Sequence, residues 1–347
     1  MNTKRSAIVT AEPPASSPEL LDMIVGKWVS QAICTAAELG IADLLKDGPL
    51  STPEIAAKTR ASEDGVYRLL RALAHVGLFV ENEPRHFVLA PLGGGLRSDV
   101  PGSLRGFARF LGHDLNSRPW GHLVDSVKTG QPAFDLVFGM SVFDYMTKQP
   151  DSAAIFNEAM ASLSLIEIQA ISTAYNFDGI RTLVDVGGGQ GGLLAAILIA
   201  NPGLRGVLFE MPHALGSARS LLQQAAVIDR CQITGGDFFT AVPEGGDAYV
   251  LKRILHDWDD TRARRILENC HRAMTLGGRV LVAEVVVGSA NKSNLAGFLD
   301  LEMLVVTQGG RERAEHEFRK LYEAAGFRLS KVIATRAPVS IVEGIAV

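Results

Sequence analysis

The 347-residue sequence is poor in cysteine, with three, and poor in aromatic residues, at 7%. Cys34, Cys231 and Cys270 are scattered, odd in number and match no zinc spacing. That excludes a disulfide framework and a cysteine zinc site, and reduced thiols in the cytoplasm are expected. An excess of one charge is also missing: 34 Lys and Arg stand against 38 Asp and Glu, a net charge of -4. General affinity for nucleic acid or an anionic membrane is therefore not expected. No uncharged apolar run reaches the roughly 20 residues of a membrane span. The start, Met1 to Arg5, resembles the charged opening of a signal peptide, but Glu12, Pro13 and Pro14 stand where an apolar stretch should follow. Residues 1–16 are expected to be a disordered tail. What is present, 47% apolar and 21% charged residues, describes a globular chain long enough for two domains.

From Ser17 to about Leu45 the apolar residues Leu20, Leu21, Ile24, Val25, Trp28, Val29 and Ile33 recur at helical steps. The stripe is apolar on more than one side, which suits a subunit interface as well as a core. Ser51 or Thr52, followed by Pro53 and Glu54, caps one helix. Ser62-Glu63-Asp64 opens a second, which runs through Leu69, Leu70 and Leu73 to Gly77. Residues 78–80 and 86–89 flank the turn 81–84 as a hairpin. Helix, helix, hairpin is the order of a winged helix, which raises DNA binding. The second helix has Arg68, Arg71 and His75 but no dense basic face, so a dimerisation scaffold is the favoured reading.

Residues 101–175 read as mostly helical, with breaks at Pro119, at 130–132 and at Gln149-Pro150. Two pieces rich in Met and aromatics, around Phe143 and around Phe156 and Met160, suit an adaptable apolar pocket. No clustered metal ligands are visible, and none is expected.

From Arg181 onward strands and helices alternate, with strands expected near 182–186, 206–210, 231–234, 247–252, 278–285, 326–333 and 338–346. Alternation of this kind predicts a parallel sheet with helices on both faces and a ligand outside the strands' carboxyl ends. The first strand, Leu183 to Val186, runs into Gly187-Gly188-Gly189-Gln190-Gly191-Gly192 and then a helix. Glycines there let the backbone approach a ligand, and the helix start offers its free N–H groups. The second strand ends at Glu210, about twenty positions on, where a carboxylate can accept ribose hydroxyls. Gly235-Gly236-Asp237-Phe238-Phe239 follows the third strand; Asp237 suits an adenine amino group and Phe238 its face. The fourth strand leads through Lys252 into His256-Asp257-Trp258. The fifth ends at Glu284, and Gly309-Gly310-Arg311-Glu312 supplies a further carboxylate.

Taken in order, Asp185-Val186-Gly187-Gly188-Gly189, Phe209-Glu210-Met211-Pro212-His213, Gly235-Gly236-Asp237-Phe238-Phe239, Leu255-His256-Asp257-Trp258, Ala283-Glu284 and Gly309-Gly310-Arg311-Glu312-Arg313 resemble the S-adenosylmethionine-dependent small-molecule O-methyltransferases. The resemblance is to the branch with an N-terminal winged-helix dimerisation domain, which includes plant caffeate-type and bacterial secondary-metabolite enzymes. It runs from about Leu20 onward.

The resemblance implies an α/β fold. A Rossmann-like, seven-stranded, mostly parallel sheet forms a cofactor-binding domain at 176–347. A mainly α winged-helix dimerisation domain occupies 17–100, and a helical linker with pocket residues lies between, at 101–175. It implies S-adenosyl-L-methionine as cofactor, with Asp185, Gly187 and Gly189 at the turn and Glu210 on the ribose. Asp237 and Phe238 would hold the adenine, Lys252 and Trp258 would flank the cofactor, and Ser164 would reach its carboxylate end. His256 resembles the general base, its ring held by Glu284 and Glu312. Phe156, Met160, Met303 and Thr307 match pocket positions, and Phe143 joins them from its local composition. Glu210 departs from the family's usual Asp, Phe238 from a frequent Met, and Leu163 stands where some relatives have a polar residue. The acceptor implied is a hydroxyl of a small aromatic, phenolic or polyketide-like molecule, methylated by a cytoplasmic homodimer. The alternatives are an N-methyltransferase, a hydroxylase or decarboxylase that keeps the cofactor site, a nicotinamide-dependent dehydrogenase and a DNA-binding regulator.

Overall fold

The computed structural model describes residues 17–288 and 295–347. The expectation for the tail at 1–16 lies outside the described residues. The chain divides into two compact units, Met1–Gly112 and His113–Val347.

In the first unit, α1 (Pro18–Glu38) starts where the Ser17 hydroxyl accepts the Leu20 N–H and Pro18 fits the first turn. It ends before Gly40, which is left-handed at φ 64°, and α2 (Ile41–Leu44) follows. The helix expected from Ser17 to Leu45 is thus two helices, broken where only glycine takes that φ without strain. β1 (Leu50–Ser51) leads into α3 (Thr52–Thr59), which carries a Ser51–Glu54 capping box. α4 (Glu63–His75) starts at Ser62 and stops before Gly77. β2 (Phe79–Glu83) and β3 (His86–Leu89) form the hairpin, and β1 adds to it in the order β1-β3-β2. This is a winged helix packed around Ile55, Leu70, Leu73, Phe79 and Phe87. α5 (Arg105–Gly112) belongs to the same unit: Arg105 pairs with Asp43 at 2.9 Å and Arg109 with Glu38 at 2.7 Å. On α1, Leu20, Leu21, Met23, Ile24 and Trp28 are exposed, Trp28 at 74%. α4 shows no basic face, since Arg68 pairs with Asp64 and Arg71 lies over Tyr67.

The second unit opens with α6 (Asp114–Trp120), α7 (Leu123–Thr129), α8 (Ala133–Phe138), α9 (Val142–Lys148) and the 25-residue α10 (Pro150–Ala174). Pro119 lies inside α6, and the helix ends just after it. By length and composition alone α10 is apolar enough to cross a bilayer. Counting only uncharged runs hides this, because Glu158 and Glu167 interrupt it.

The sheet follows: β4 (Thr182–Val186), α11 (Gly192–Ala200), β5 (Arg205–Glu210), α12 (Ala218–Gln224), β6 (Cys231–Gly235), β7 (Ala248–Lys252), α13 (Asp260–Ala273), β8 (Arg279–Glu284), β9 (Val286–Val287), α14 (Leu295–Val306), β10 (Arg313–Ala314), α15 (Glu315–Ala324), β11 (Phe327–Ala334) and β12 (Ser340–Ala346). The seven-stranded order is β11-β12-β8-β7-β4-β5-β6. β4 through β8 pair in parallel, and β12 is antiparallel to both β8 and β11. The fold is Rossmann-like and mostly parallel; alternation alone did not reveal the reversed strand.

Successive side chains leave a strand on opposite faces. Leu183, Leu208 and Val250 pack with Leu194 and Leu198 of α11 on one face. Val184, Tyr249 and Leu251 pack with Ile266 and Leu267 of α13 and Phe318 and Tyr322 of α15 on the other. Each such buried leucine or isoleucine contributes about 1.5–3 kcal/mol of transfer free energy. The strand order reverses beside β4: its neighbours are β5 on one side and β7 on the other. The carboxyl ends of β4 and β7 therefore flank the crevice where such sheets bind ligands.

Candidate active site

At the end of β4 the glycine turn folds back over its own strand. Gly187, Gly189 and Gly191 are left-handed, at φ 69°, 58° and 86°. The Gly187 N–H donates to the Phe209 carbonyl at 2.8 Å and the Gly189 N–H to Glu210 Oε2 at 3.0 Å. Glu210 Oε1 accepts the Met211 N–H at 2.7 Å, so this carboxylate ties the turn to β5 and keeps its remaining lone pairs for a ligand. Asp185 lies beneath the turn: a Cβ on Gly188 would fall 2.5 Å from its Oδ2, an oxygen that is buried and without a hydrogen-bond partner. Burial, with Glu210 adding to it and Lys252 opposing, pushes the Asp185 carboxyl up to about 7.

Next to the turn stands a group of rings. Phe143 of α9 stacks on Trp258 at 5.6 Å with planes 16° apart, and Phe238 and Phe239 meet Trp258 edge-on at 6.4 and 4.8 Å. Phe143, expected in the acceptor pocket, is thus grouped with residues expected at the cofactor. Asp237 Oδ1 accepts the Phe239 N–H at 2.8 Å, which shapes the loop that presents Phe238.

At the end of β7 a short 3-10 turn, Leu255–Asp257, carries the histidine. His256 is buried, 8% exposed, and its Nδ1 lies 3.0 Å from Glu312 Oε1. Glu284 was expected to hold the ring as well. Instead its Oε1 accepts the backbone N–H groups of Leu255 at 2.6 Å and His256 at 3.1 Å. It therefore holds the loop rather than the imidazole, because β8 ends level with the backbone of the turn and not with the ring. Asp257 Oδ1 stands 3.5 Å from His256 Nε2. Burial works against a charge on the imidazole, but Asp257, the Glu312 bond and Glu284 outweigh it and push its pKa up to about 9. Burial raises the Glu284 and Asp257 carboxyls in turn.

Four residues that carried no expectation, Arg253, Glu167, Arg313 and Asp257, complete the cluster. Arg253 Nη2 reaches Glu167 Oε1 at 2.7 Å and its Nη1 reaches Glu312 Oε1 at 3.2 Å. Lys252 faces Glu167 at 3.7 Å, and burial pushes its pKa down. Arg313, fully buried, donates to the Leu255 carbonyl at 2.9 Å and the Trp258 carbonyl at 2.8 Å, clamping the turn from behind. Asp257 is the fourth. A signal for Glu167 exists in the sequence: it is an acid within an otherwise apolar helical stretch, which requires a cationic partner if buried. Arg253 and Arg313 carry no such signal.

Phe156, Met160, Ser164 and Glu167 are spaced about one turn apart or a multiple of it, so they share a face of α10. Ser164, Met160 and Phe156 are half-buried on that face. Just past the end of α14 the Thr307 hydroxyl donates to the Met303 carbonyl at 2.7 Å. Gly310 wedges between Thr307 and the histidine turn: a Cβ there would fall 2.2 Å from Thr307 Oγ1 and 2.5 Å from the His256 carbonyl. The Arg311 N–H donates to that same carbonyl at 2.8 Å. Among the described residues no group of three or more potential metal ligands occurs.

A glycine turn, a ring cluster and a buried His–Glu pair at the carboxyl ends of neighbouring inner strands are the arrangement of a class: Rossmann-like enzymes that act beside a nucleoside cofactor. Comparison with known families makes the class definite. Residues 120–328 match the O-methyltransferase domain and residues 21–96 the O-methyltransferase dimerisation domain. The chain is similar to the phenazine O-methyltransferase of Lysobacter antibioticus, at 44% identity over 93% of this chain and 94% of that protein. It is also similar to the mitomycin biosynthesis 6-O-methyltransferase of Streptomyces lavendulae, at 40% identity over 96% of each. Among solved structures, the methyltransferase CalO1 of calicheamicin biosynthesis, bound to S-adenosylhomocysteine, superposes with a TM-score of 0.86 at 35% identity, covering 95% of this chain and 97% of that one. The chain belongs to the S-adenosyl-L-methionine-dependent O-methyltransferase family, of the branch that carries its own dimerisation domain.

The residues present fit that cofactor. The left-handed glycine backbone leaves the turn open to a ligand, Glu210 keeps lone pairs free beside it, and the half-buried Phe238 offers a ring face next to Trp258.

Proposed function

We propose that the protein transfers a methyl group from S-adenosyl-L-methionine to a hydroxyl of a small phenolic or polyketide-like aromatic, with His256 as general base. The observation that carries this reading is the 3.0 Å contact between His256 Nδ1 and the buried Glu312 carboxylate, just past the end of β7, the strand that pairs with the one leading into the glycine turn. A carboxylate on Nδ1 selects the tautomer that leaves Nε2 basic. The names of the relatives, a phenazine and a mitomycin O-methyltransferase, support an aromatic acceptor.

In this reading Gly187 and Gly189 hold the methionine and ribose portion, with Asp185 shaping the turn from beneath. Glu210 accepts the ribose hydroxyls, and Asp237 and Phe238 hold the adenine. Lys252, Trp258 and Ser164 flank the cofactor. Phe156, Met160, Met303 and Thr307 face the acceptor, and Phe143 closes over Trp258. Bound, the cofactor supplies an electrophilic methyl on a sulfonium. A phenol is mostly protonated at neutral pH. Neutral His256 takes its proton at Nε2 as the oxygen forms its bond to carbon, and Glu312 stabilises the imidazolium. Glu284 and Arg313 hold the turn that presents the ring. A buried site favours a step in which opposite charges cancel, and holding the acceptor in line lowers the barrier further.

The test is His256→Gln and His256→Ala, assayed by mass spectrometry for methylated product on a panel of aromatic hydroxyl compounds, with S-adenosylhomocysteine binding followed by calorimetry. Turnover is expected to fall by about two orders of magnitude or more with binding retained. Unchanged turnover on the best acceptor removes the base assignment. Methylation confined to ring amines favours the N-methyltransferase reading instead.

The exposed apolar side of α1 lies within the dimerisation domain, and in this reading it is the face through which a cytoplasmic homodimer forms.

A further inference from the structure

One feature of the cluster reaches beyond the base and its carboxylate. A single oxygen, Glu312 Oε1, receives two donors: His256 Nδ1 at 3.0 Å and Arg253 Nη1 at 3.2 Å. Arg253 is itself gripped from the other side, where Nε and Nη2 donate to Glu167 Oε1 at 3.1 and 2.7 Å. Glu167 is buried on the face of α10 that also carries Ser164, Met160 and Phe156. Arg253 moreover holds a left-handed backbone at φ 57°, unusual for a residue with a side chain. Its N–H donates to the Ala283 carbonyl at 3.1 Å, next to Glu284. A strained backbone persists only where surrounding bonds over-determine it, and such positions concentrate at functional sites.

We propose that Arg253, anchored by Glu167, is a positioning residue for the general base: it fixes the Glu312 carboxylate that orients the His256 ring, and so joins the acceptor-facing side of α10 to the proton-accepting group. The inference rests on His256 being the base. A planar guanidinium holds two carboxylates in one fixed geometry, which a compact ammonium on a flexible stem does not. With Arg253 in place, Glu312 is held on two sides and its Oε1 stays aligned with Nδ1. A shift of α10 on acceptor entry is transmitted through Glu167 to that carboxylate, so the base is aligned best when the pocket helix is seated.

The charged and titratable groups of the cluster that holds Glu312 set the direction of the test. They are Arg253 and Lys252 at the end of β7, His256 and Asp257 on the turn, Glu284 on β8, Arg313 on β10, Asp300 on α14, whose Oδ1 accepts the Glu312 N–H at 2.9 Å, and Glu167 on α10. The acid limb of kcat reports protonation of His256, so removing a cation beside it moves the limb to higher pH and removing an anion moves it to lower pH.

The experiment compares pH profiles of kcat for the wild type, Arg253→Met, Arg253→Lys and Glu167→Gln, with His256→Gln alongside. Arg253→Met is expected to lower kcat by about 10- to 100-fold and move the acid limb to higher pH by about one unit or more, with KM for the cofactor nearly unchanged. Arg253→Lys keeps the charge, so its limb stays in place while kcat falls, because the second contact is lost. Glu167→Gln moves the limb the opposite way, to lower pH. If Arg253→Met does not fold, the opposed behaviour of the Lys and Gln variants still decides the matter. Limbs that coincide with the wild type in the Met and Gln variants overturn the proposal, since a structural role alone changes amplitude and not position. His256→Gln keeps the two questions apart: its full activity removes the base, whereas its inactivity beside a wild-type profile for Arg253→Met removes only the positioning role.

Discussion

Replacing His256 by Gln should change how stability depends on pH as well as turnover. The imidazole is raised to about 9 in the folded protein from its ordinary 6.5, a difference worth about 3 kcal/mol. The folded value is the higher one, so this stabilisation is complete below about pH 6.5 and is lost as pH rises through about 9. The Gln variant has no imidazole to stabilise in this way. Its ligand-free stability should lie below that of the wild type by the largest margin at pH 6, and the gap should close by about 3 kcal/mol by pH 9.5. Any constant cost of refitting the site cancels in that slope. Urea unfolding of the second unit at four pH values measures it, with circular dichroism as the readout. Parallel stability curves for the two proteins would refute the claim that Asp257, Glu312 and Glu284 together overcome the burial of the ring. The same raised value means that the free enzyme holds an imidazolium at neutral pH, so kcat/KM should have its acid limb above neutrality. A fixed cation bound beside the ring drives that proton off, and the limb seen in kcat should lie at lower pH.

Other outcomes follow from the same geometry. Asp185→Asn should stabilise the ligand-free protein increasingly as pH rises from about 4 to 7: the carboxyl sits at about 7 in the fold against 3.8 outside it, so the unfolded chain ionises first, a cost of about 4 kcal/mol once complete that the amide avoids. Thermal melts should show the Asn variant's advantage growing from about pH 4 to pH 7 and levelling off by pH 8. Gly310→Ala should lower turnover about as much as loss of the base, because its Cβ would press 2.5 Å from the His256 carbonyl and no backbone atom can yield there. Retained kcat in a folded Gly310→Ala protein argues against that packing. Met23→Glu combined with Trp28→Glu should give a monomer by light scattering at micromolar concentration, since both side chains are more than 70% exposed on α1. A dimer that survives both changes places the interface elsewhere.

Much of the architecture could be read from residue order because each signal is local. The Ser51–Glu54 box, the caps at Ser17 and Ser62 and the left-handed Gly40 and Gly77 mark helix ends through bonds that span a few residues. The apolar strands and the glycine turn after Val186 likewise sit within one stretch. The reversal of β12 had no such mark, because strand direction depends on which neighbour a strand finds. The His256–Glu312 contact was anticipated only through the resemblance, since 56 residues separate the partners. Glu284 was assigned to the ring when its oxygen in fact reaches two backbone N–H groups, a distinction that no spacing encodes.

Residue order by itself therefore determined the chemistry available: a glycine turn after an apolar strand, acids at strand ends and a histidine on the fourth. Only the folded chain decided which acid holds the ring, which holds the turn, and that Arg253 and Glu167 stand behind both. Local hydrogen bonds and side-chain periodicity are written into neighbouring residues. Long-range ion pairs are chosen by where the sheet brings its strand ends together, and burial then sets their strength.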